Sequence, residues 1–198
     1  DGWKVGQTPD GFLELDLLAA LTEHLSVATS TPGDLVAGFW NGWSELSGRG
    51  MRYVERGPRG WLAAALGRDV AAAEVTPAPE VRAAAARGPF LRCSEVEMIA
   101  FATSVDEIAD PGWAERAGLG VEPGAHGLSP QLLWPEDHVW VVASEIDWDS
   151  TIVAGPRSLV AAVLADDRLE AYEVDEDSDL SWEGDLVNPP RAGWSAGP

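Results

Sequence analysis

One cysteine, one lysine and three histidines in 198 residues leave this chain short of the groups that build disulfide frameworks, metal sites and phosphate-binding loops. With Cys93 alone, no intramolecular disulfide and no cysteine-based metal site can form within the chain. Its apolar neighbours make it read as a buried thiol, and such cysteine usage fits the reducing cytoplasm. Lys4 is the only lysine, so no Walker-type loop exists. His24, His126 and His138 are widely scattered and form no HxxxH or HExxH pattern, which leaves a zinc hydrolase without support. There is no G-x-S-x-G elbow and no G-x-G-x-x-G after a strand. No apolar run approaches the roughly 20 residues that span a bilayer. Asp1-Gly2-Trp3-Lys4 is not followed by the apolar stretch of a signal peptide.

Basic residues are scarce as well: 13 against 33 acidic ones, a formal charge of -20. From Leu133 onward there are 15 acidic and 3 basic residues, a net -12, which leaves -8 for the first 132. Such a field repels phosphate backbones and anionic membranes, because affinity for either rests on Lys and Arg. Nucleic acid and membrane are therefore excluded as expected partners. A cationic protein, or weakly bound Mg²⁺ or Ca²⁺, remains. Acidity also maintains solubility without any partner.

What the chain has in quantity is apolar surface, 45% of residues with ten Trp, enough for a sizeable core. One α+β domain is expected over 1–188, followed by an acidic and then Pro/Gly-rich tail over 175–198. Leu17, Leu18, Leu21, Leu25 and Ala28 recur at helical spacing over 14–28, with Glu14 and Asp16 in the first turn. Leu35 to Trp40 reads as a strand, and Asn41-Gly42 as the turn of a hairpin. Arg49, Arg52, Arg56 and Arg59 lie in a glycine-broken tract and read mainly as an internal partner for the acidic part, with anion binding as the lesser alternative. Trp61 to Val75 is Ala-rich and reads as a helix. The span 70–88, with Thr76-Pro77-Ala78-Pro79, reads as a long loop.

Strands are expected at Phe90–Cys93 and Val96–Thr103. Ser104 and Glu107 then form a capping box that starts a helix at Val105. That helix is interrupted at Pro111, and Trp113 to Ala117 resumes it. A glycine-rich loop follows to Ser129. The C-terminal part reads as β-β-α-β: His138–Trp148, Ser150–Ala154, a helix over Ser158–Ala165, and Leu169–Val174. The fold expected is a mostly antiparallel sheet of five or six strands with helices packed on one side.

Leu133-Trp134-Pro135-Glu136-Asp137, Trp140, Ala143-Ser144-Glu145-Ile146-Asp147 and Asp149-Ser150-Thr151 form a distinctive string. Gly155, Leu159, Leu164 and Leu169-Glu170-Ala171-Tyr172 extend it. It resembles an uncharacterised family of high-GC Gram-positive bacteria. The match is best over the last third, with Phe39-Trp40-Asn41-Gly42 and Glu97 to Ile108 as weaker landmarks, and Gly48 to Gly88 does not match. The resemblance implies fold and boundaries. It implies no activity and no cofactor.

One row of residues invites chemistry. On a strand starting at His138, Trp140, Val142, Ile146 and Trp148 share the core face, and the other face ends in Glu145, Asp147 and Asp149. Side chains two apart on a strand lie about 6.5–7 Å apart, so three carboxylates in that row could hold a hard cation. They could equally raise one another's pKa values as an acid/base pair. The plainer reading is a solvated acidic strand end. Asp147-Trp148-Asp149-Ser150-Thr151 also resembles the nucleophile motif of haloacid-dehalogenase-type phosphatases. That motif opens its fold and needs a downstream lysine, and here 47 residues and no lysine follow. Counted from Asp175, the sixth and twelfth positions of a calcium loop are Leu180 and Leu186, so that match fails. Trp40, Trp43, Trp134 and Trp140 would line an aromatic groove or fill the core.

Two classes follow. The first is a non-catalytic acidic binding or adaptor protein, immunity-protein-like, for a cationic partner, with Glu145, Asp147, Asp149, Trp134 and Trp140 as binding residues. The alternative is a metal-assisted hydrolase built on Glu145, Asp147 and Asp149.

Overall fold

The computed structural model of the chain describes residues 10–47, 76–93, 96–121 and 128–180. The arginine tract, the Ala-rich segment before Thr76, His126 and the chain after Leu180 lie outside these residues. The architecture is α+β: one six-stranded antiparallel sheet, with six helices among the described residues.

Helix α1 (Leu15–Ala28) forms where the apolar spacing places it. Leu18, Leu21 and Leu25 are buried along one stripe, each stabilising the fold by about 1.5–3 kcal/mol. Strand β1 (Leu35–Trp40) alternates as a half-covered strand should, with Leu35, Ala37 and Phe39 all buried. The Asn41-Gly42 turn forms, closed by the Trp43 amide donating to the Trp40 carbonyl at 3.2 Å. Gly42 lies directly under the Trp40 indole, where a Cβ would come within 2.2 Å of the ring. The turn makes no hairpin, however. It leads into the short helix α2 (Ser44–Ser47), and β1 takes both its partners from far along the chain.

The expected loop over 70–88 is in part a helix, α3 (Pro79–Arg87). Pro77 and Pro79 read as a stop signal, but proline at a first helical position is a start signal, and the alanines after it favour helix. Val81 anchors α3 in the core, and the Gly88 amide closes its end on the Ala84 carbonyl. Strands β2 (Phe90–Cys93) and β3 (Val96–Thr103) follow. Ser104 caps α4 (Val105–Ile108) by accepting from the Glu107 amide at 3.2 Å. The reciprocal half of the box is diverted: the Glu107 carboxylate accepts from the Thr103 hydroxyl. Helix α5 (Trp113–Arg116) resumes after Pro111-Gly112.

The C-terminal part contains β4 (Leu132–Pro135), β5 (Val141–Ser144), β6 (Thr151–Ala154) and α6 (Arg157–Leu164). The long strand expected over His138–Trp148 is only its middle. His138 has φ 54°, a left-handed turn conformation, and the chain turns again after Ser144. The final strand expected over Leu169–Val174 does not form, leaving β-β-α. Tyr172 and Val174 are exposed, so nothing rewards pairing there.

Sheet order is β2-β3-β1-β4-β5-β6. Register puts Leu35, Phe39, Ile99, Leu133 and Val142 on one face. Buried apolar residues from each of these six helices join that face in a single cluster.

Gln131, just before β4, is fully buried. Its Oε1 accepts from the Trp40 amide and the Trp43 indole, both at 3.0 Å. Its Nε2 donates to the carbonyls of Gly11 at 2.8 Å and Ser129 at 3.1 Å. Buried polar groups stranded without partners cost about 1–3 kcal/mol each. Gln131→Ala strands several at once and should destabilise the protein by about 3–4 kcal/mol in urea unfolding. A loss below about 1 kcal/mol would show that these bonds do not hold the segments together.

Candidate functional site

The three carboxylates singled out above lie on the loop between β5 and β6 and not on a strand. The Glu145 side chain accepts from the Asp147 amide at 2.7 Å, and the Trp148 amide donates to the Glu145 carbonyl at 3.2 Å. The chain thus coils into a tight turn instead of continuing the strand. Glu145, Asp147 and Asp149 are exposed, and so is Trp148, with 38% of its surface accessible. No ion pair engages the three among the described residues.

The N-terminal segment fixes this loop. The Gly11 amide donates to the Trp148 carbonyl at 2.8 Å. Gly11 adopts φ 85°, and a Cβ there would come within 2.8 Å of the Ile146 carbonyl oxygen, so only glycine lets the two backbones meet. Since the Gly11 carbonyl is held by Gln131, the loop is tied to the core through two hydrogen bonds in series. Exposed Asp10 adjoins Gly11 and adds a carboxylate to the same region.

Two of the five expected binding residues stand elsewhere. Trp140 is 2% exposed, and its indole donates to the Leu25 carbonyl at 3.1 Å, tying β5 to α1. Trp134, on β4, pairs with Val36 on the sheet face turned away from the helices. Trp40 and Trp43 pack edge to face at 5.4 Å and serve the turn beside Gln131. No aromatic groove is assembled from these four. The aromatic side chain beside the acids is Trp148, which a continuous strand would have placed in the core.

Among the described residues, no group of three or more His, Cys, Asp and Glu is arranged to hold a metal ion. A cavity of about 270 Å³ lies between the sheet and α5, lined by Phe39, Phe101, Thr103, Glu107, Trp113 and Arg116. Its polar groups are already spent, Thr103 on Glu107 and Arg116 on Asp110. The buried Trp113 Nε1 has no hydrogen-bond partner among the described residues.

Two further carboxylates are structural, and sequence alone did not single them out. Asp137 accepts from the Thr29 hydroxyl and from the amide and hydroxyl of Ser30, each at 2.8 Å. It clamps the end of α1 to the β4–β5 turn. Partial desolvation opposes its ionisation, but these bonds and one from the Val139 amide outweigh it and hold the pKa at about 2. Asp166, beyond α6, accepts from Arg168 and lies 2.7 Å from His24 Nε2 on α1. Arg168 also forks onto Glu23 at 2.8 and 2.9 Å. The Arg168 guanidinium first, then His24, holds Asp166 well below the ordinary carboxylate range. Both clusters join residues more than a hundred positions apart, so only the fold reveals them.

No family model, no curated protein and no solved structure matches the chain. No helix among the described residues is long and apolar enough to cross a membrane. Fold and site thus define an acidic α+β protein, and its function must be argued from the loop itself.

The Asp137 pKa lies below its unfolded value of 3.8. The clamp's contribution is therefore complete above about pH 4 and lost as pH falls toward 2. Melting curves of Asp137→Ala across this range should start lower at neutral pH and fall less steeply with acid than those of the parent. Parallel pH profiles would refute the clamp.

Proposed function

We propose that this chain is a non-catalytic binding protein that meets a cationic protein partner through its acidic loop, as small immunity or adaptor proteins do. The observation that carries this reading is the exposed Trp148 flanked by Glu145, Asp147 and Asp149, carboxylates with no cationic partner among the described residues. An amphipathic aromatic among unpaired charges suits a contact in which charge steers the encounter and the ring supplies buried area. The loop is held in shape by Gly11 and by the Glu145 side chain, so little order need be gained on binding. The net charge of -20 directs encounter toward cations over the whole molecule.

The alternative, a metal-assisted hydrolase using the same three carboxylates, has weaker support. Glu145 spends an oxygen on the Asp147 amide, and the turn leaves the side chains exposed instead of converging in a cleft. A single cysteine and the charge balance agree with a cytoplasmic protein.

Titration with a Lys/Arg-rich peptide, followed by calorimetry at two salt concentrations, tests the reading. Binding should weaken with salt, and the variant carrying Glu145→Gln, Asp147→Asn and Asp149→Asn should bind at least about tenfold more weakly. Equal affinity of variant and parent would sink it. Calorimetry with Mg²⁺, Mn²⁺ and Ca²⁺ tests the alternative, which fails if no heat of binding appears.

A further inference from the structure

Two pairs among the described residues set an aspartyl or asparaginyl residue before glycine, Asp10-Gly11 and Asn41-Gly42. In such a pair the glycine nitrogen can attack the side-chain carbonyl carbon, because glycine has no side chain to hinder the approach. What holds that nitrogen decides whether it does, and the fold treats the two pairs oppositely. Gly11 is buried, and its amide donates to the Trp148 carbonyl at 2.8 Å. Gly42 is exposed, and its amide donates to nothing among the described residues. The Asn41 carboxamide enters no hydrogen bond among them either. Neither Asn41 nor Gly42 has a positive φ, so the bond from the Trp43 amide to the Trp40 carbonyl closes a type I turn. That closing bond uses the amide of the fourth turn residue and leaves the third, on Gly42, unspent.

We infer that the Asn41-Gly42 turn is a site of spontaneous deamidation in the folded protein, while Asp10-Gly11 is protected from the equivalent rearrangement. The Gly42 nitrogen bonds to the Asn41 Cγ, the Cγ–Nδ2 bond breaks, and ammonia leaves with the proton given up by Gly42. Water then opens the five-membered succinimide at either carbonyl, giving aspartate or isoaspartate. Asn188, the only other asparagine, precedes Pro189, whose nitrogen has no hydrogen to lose. Asn41 is therefore the one asparagine this route can reach. The isoaspartate product bears on the fold, since it routes the main chain through the former side chain and adds a methylene between residues 41 and 42. Gly42 has no room for a Cβ beneath the Trp40 indole. The Trp40 amide and the Trp43 indole, on either side of the turn, both donate to Gln131 Oε1 at 3.0 Å. A lengthened turn moves these two donors apart and loosens the buried hub. Plain aspartate leaves the main chain as it was.

Incubation of the full chain in mildly alkaline buffer, folded and in guanidinium chloride, followed by peptide mass mapping, tests this. Residue 41 should turn acid in the folded protein at a rate within about tenfold of its rate in denaturant. Isoaspartate at residue 10 should form more slowly than its own rate in denaturant by more than that factor. Asn41→Gln should stop the gain of acid at position 41. A folded rate at residue 41 slowed by more than about tenfold, or equal slowing at residues 10 and 41, overturns the inference. The isoaspartate form, separated by chromatography, should melt below a freshly prepared Asn41→Asp variant. Equal melting of the two overturns the coupling to Gln131.

Discussion

Gln131 has no exposed surface, yet both ends of its side-chain amide are fully used. Oxygen and nitrogen each take two partners, drawn from the residue 11 backbone, the turn after β1, and the approach to β4. Its own backbone adds bonds to Gly38 and Ser144. A buried amide is tolerable only when satisfied, and each partner here would itself be orphaned without it. The consequence reaches past the core. The position of Gly11 sets the position of the Trp148 carbonyl, and with it the acidic loop. A buried neutral residue thereby fixes the geometry of an exposed acidic turn.

The carboxylates divide by what holds them. Asp137 and Asp166 are enclosed by donors that favour the charged form, and they join α1 to the C-terminal half. Glu145, Asp147 and Asp149 are exposed and enter no ion pair among the described residues. Only the second kind keeps charge available for a partner. The acidity of the sequence is thus not one property: part fastens the fold, and part faces outward.

Much of the fold was legible because it rests on local periodicity. Helix α1, strands β1 to β3, the Ser104 cap and α6 fall where spacing and capping chemistry put them. Errors arose where one local signal has two meanings. Pro79 can stop a helix or start one, and burial of Val81 decided for a start. The alternation from His138 to Trp148 suits a strand, but the left-handed His138 and the Glu145–Asp147 turn cut it at both ends. That cut moved Trp148 from the expected core to the surface and dissolved the expected carboxylate row.

The sequence by itself determined the acidic character, the α+β class and most element positions, since composition and short-range spacing are local properties. Tertiary structure alone decided that Gln131 is the shared hydrogen-bond hub, that Asp137 and Asp166 are clamps, and that Asp10 stands near Trp148. Each of these depends on which distant residues meet, and strand order and register, not spacing along the chain, set those meetings.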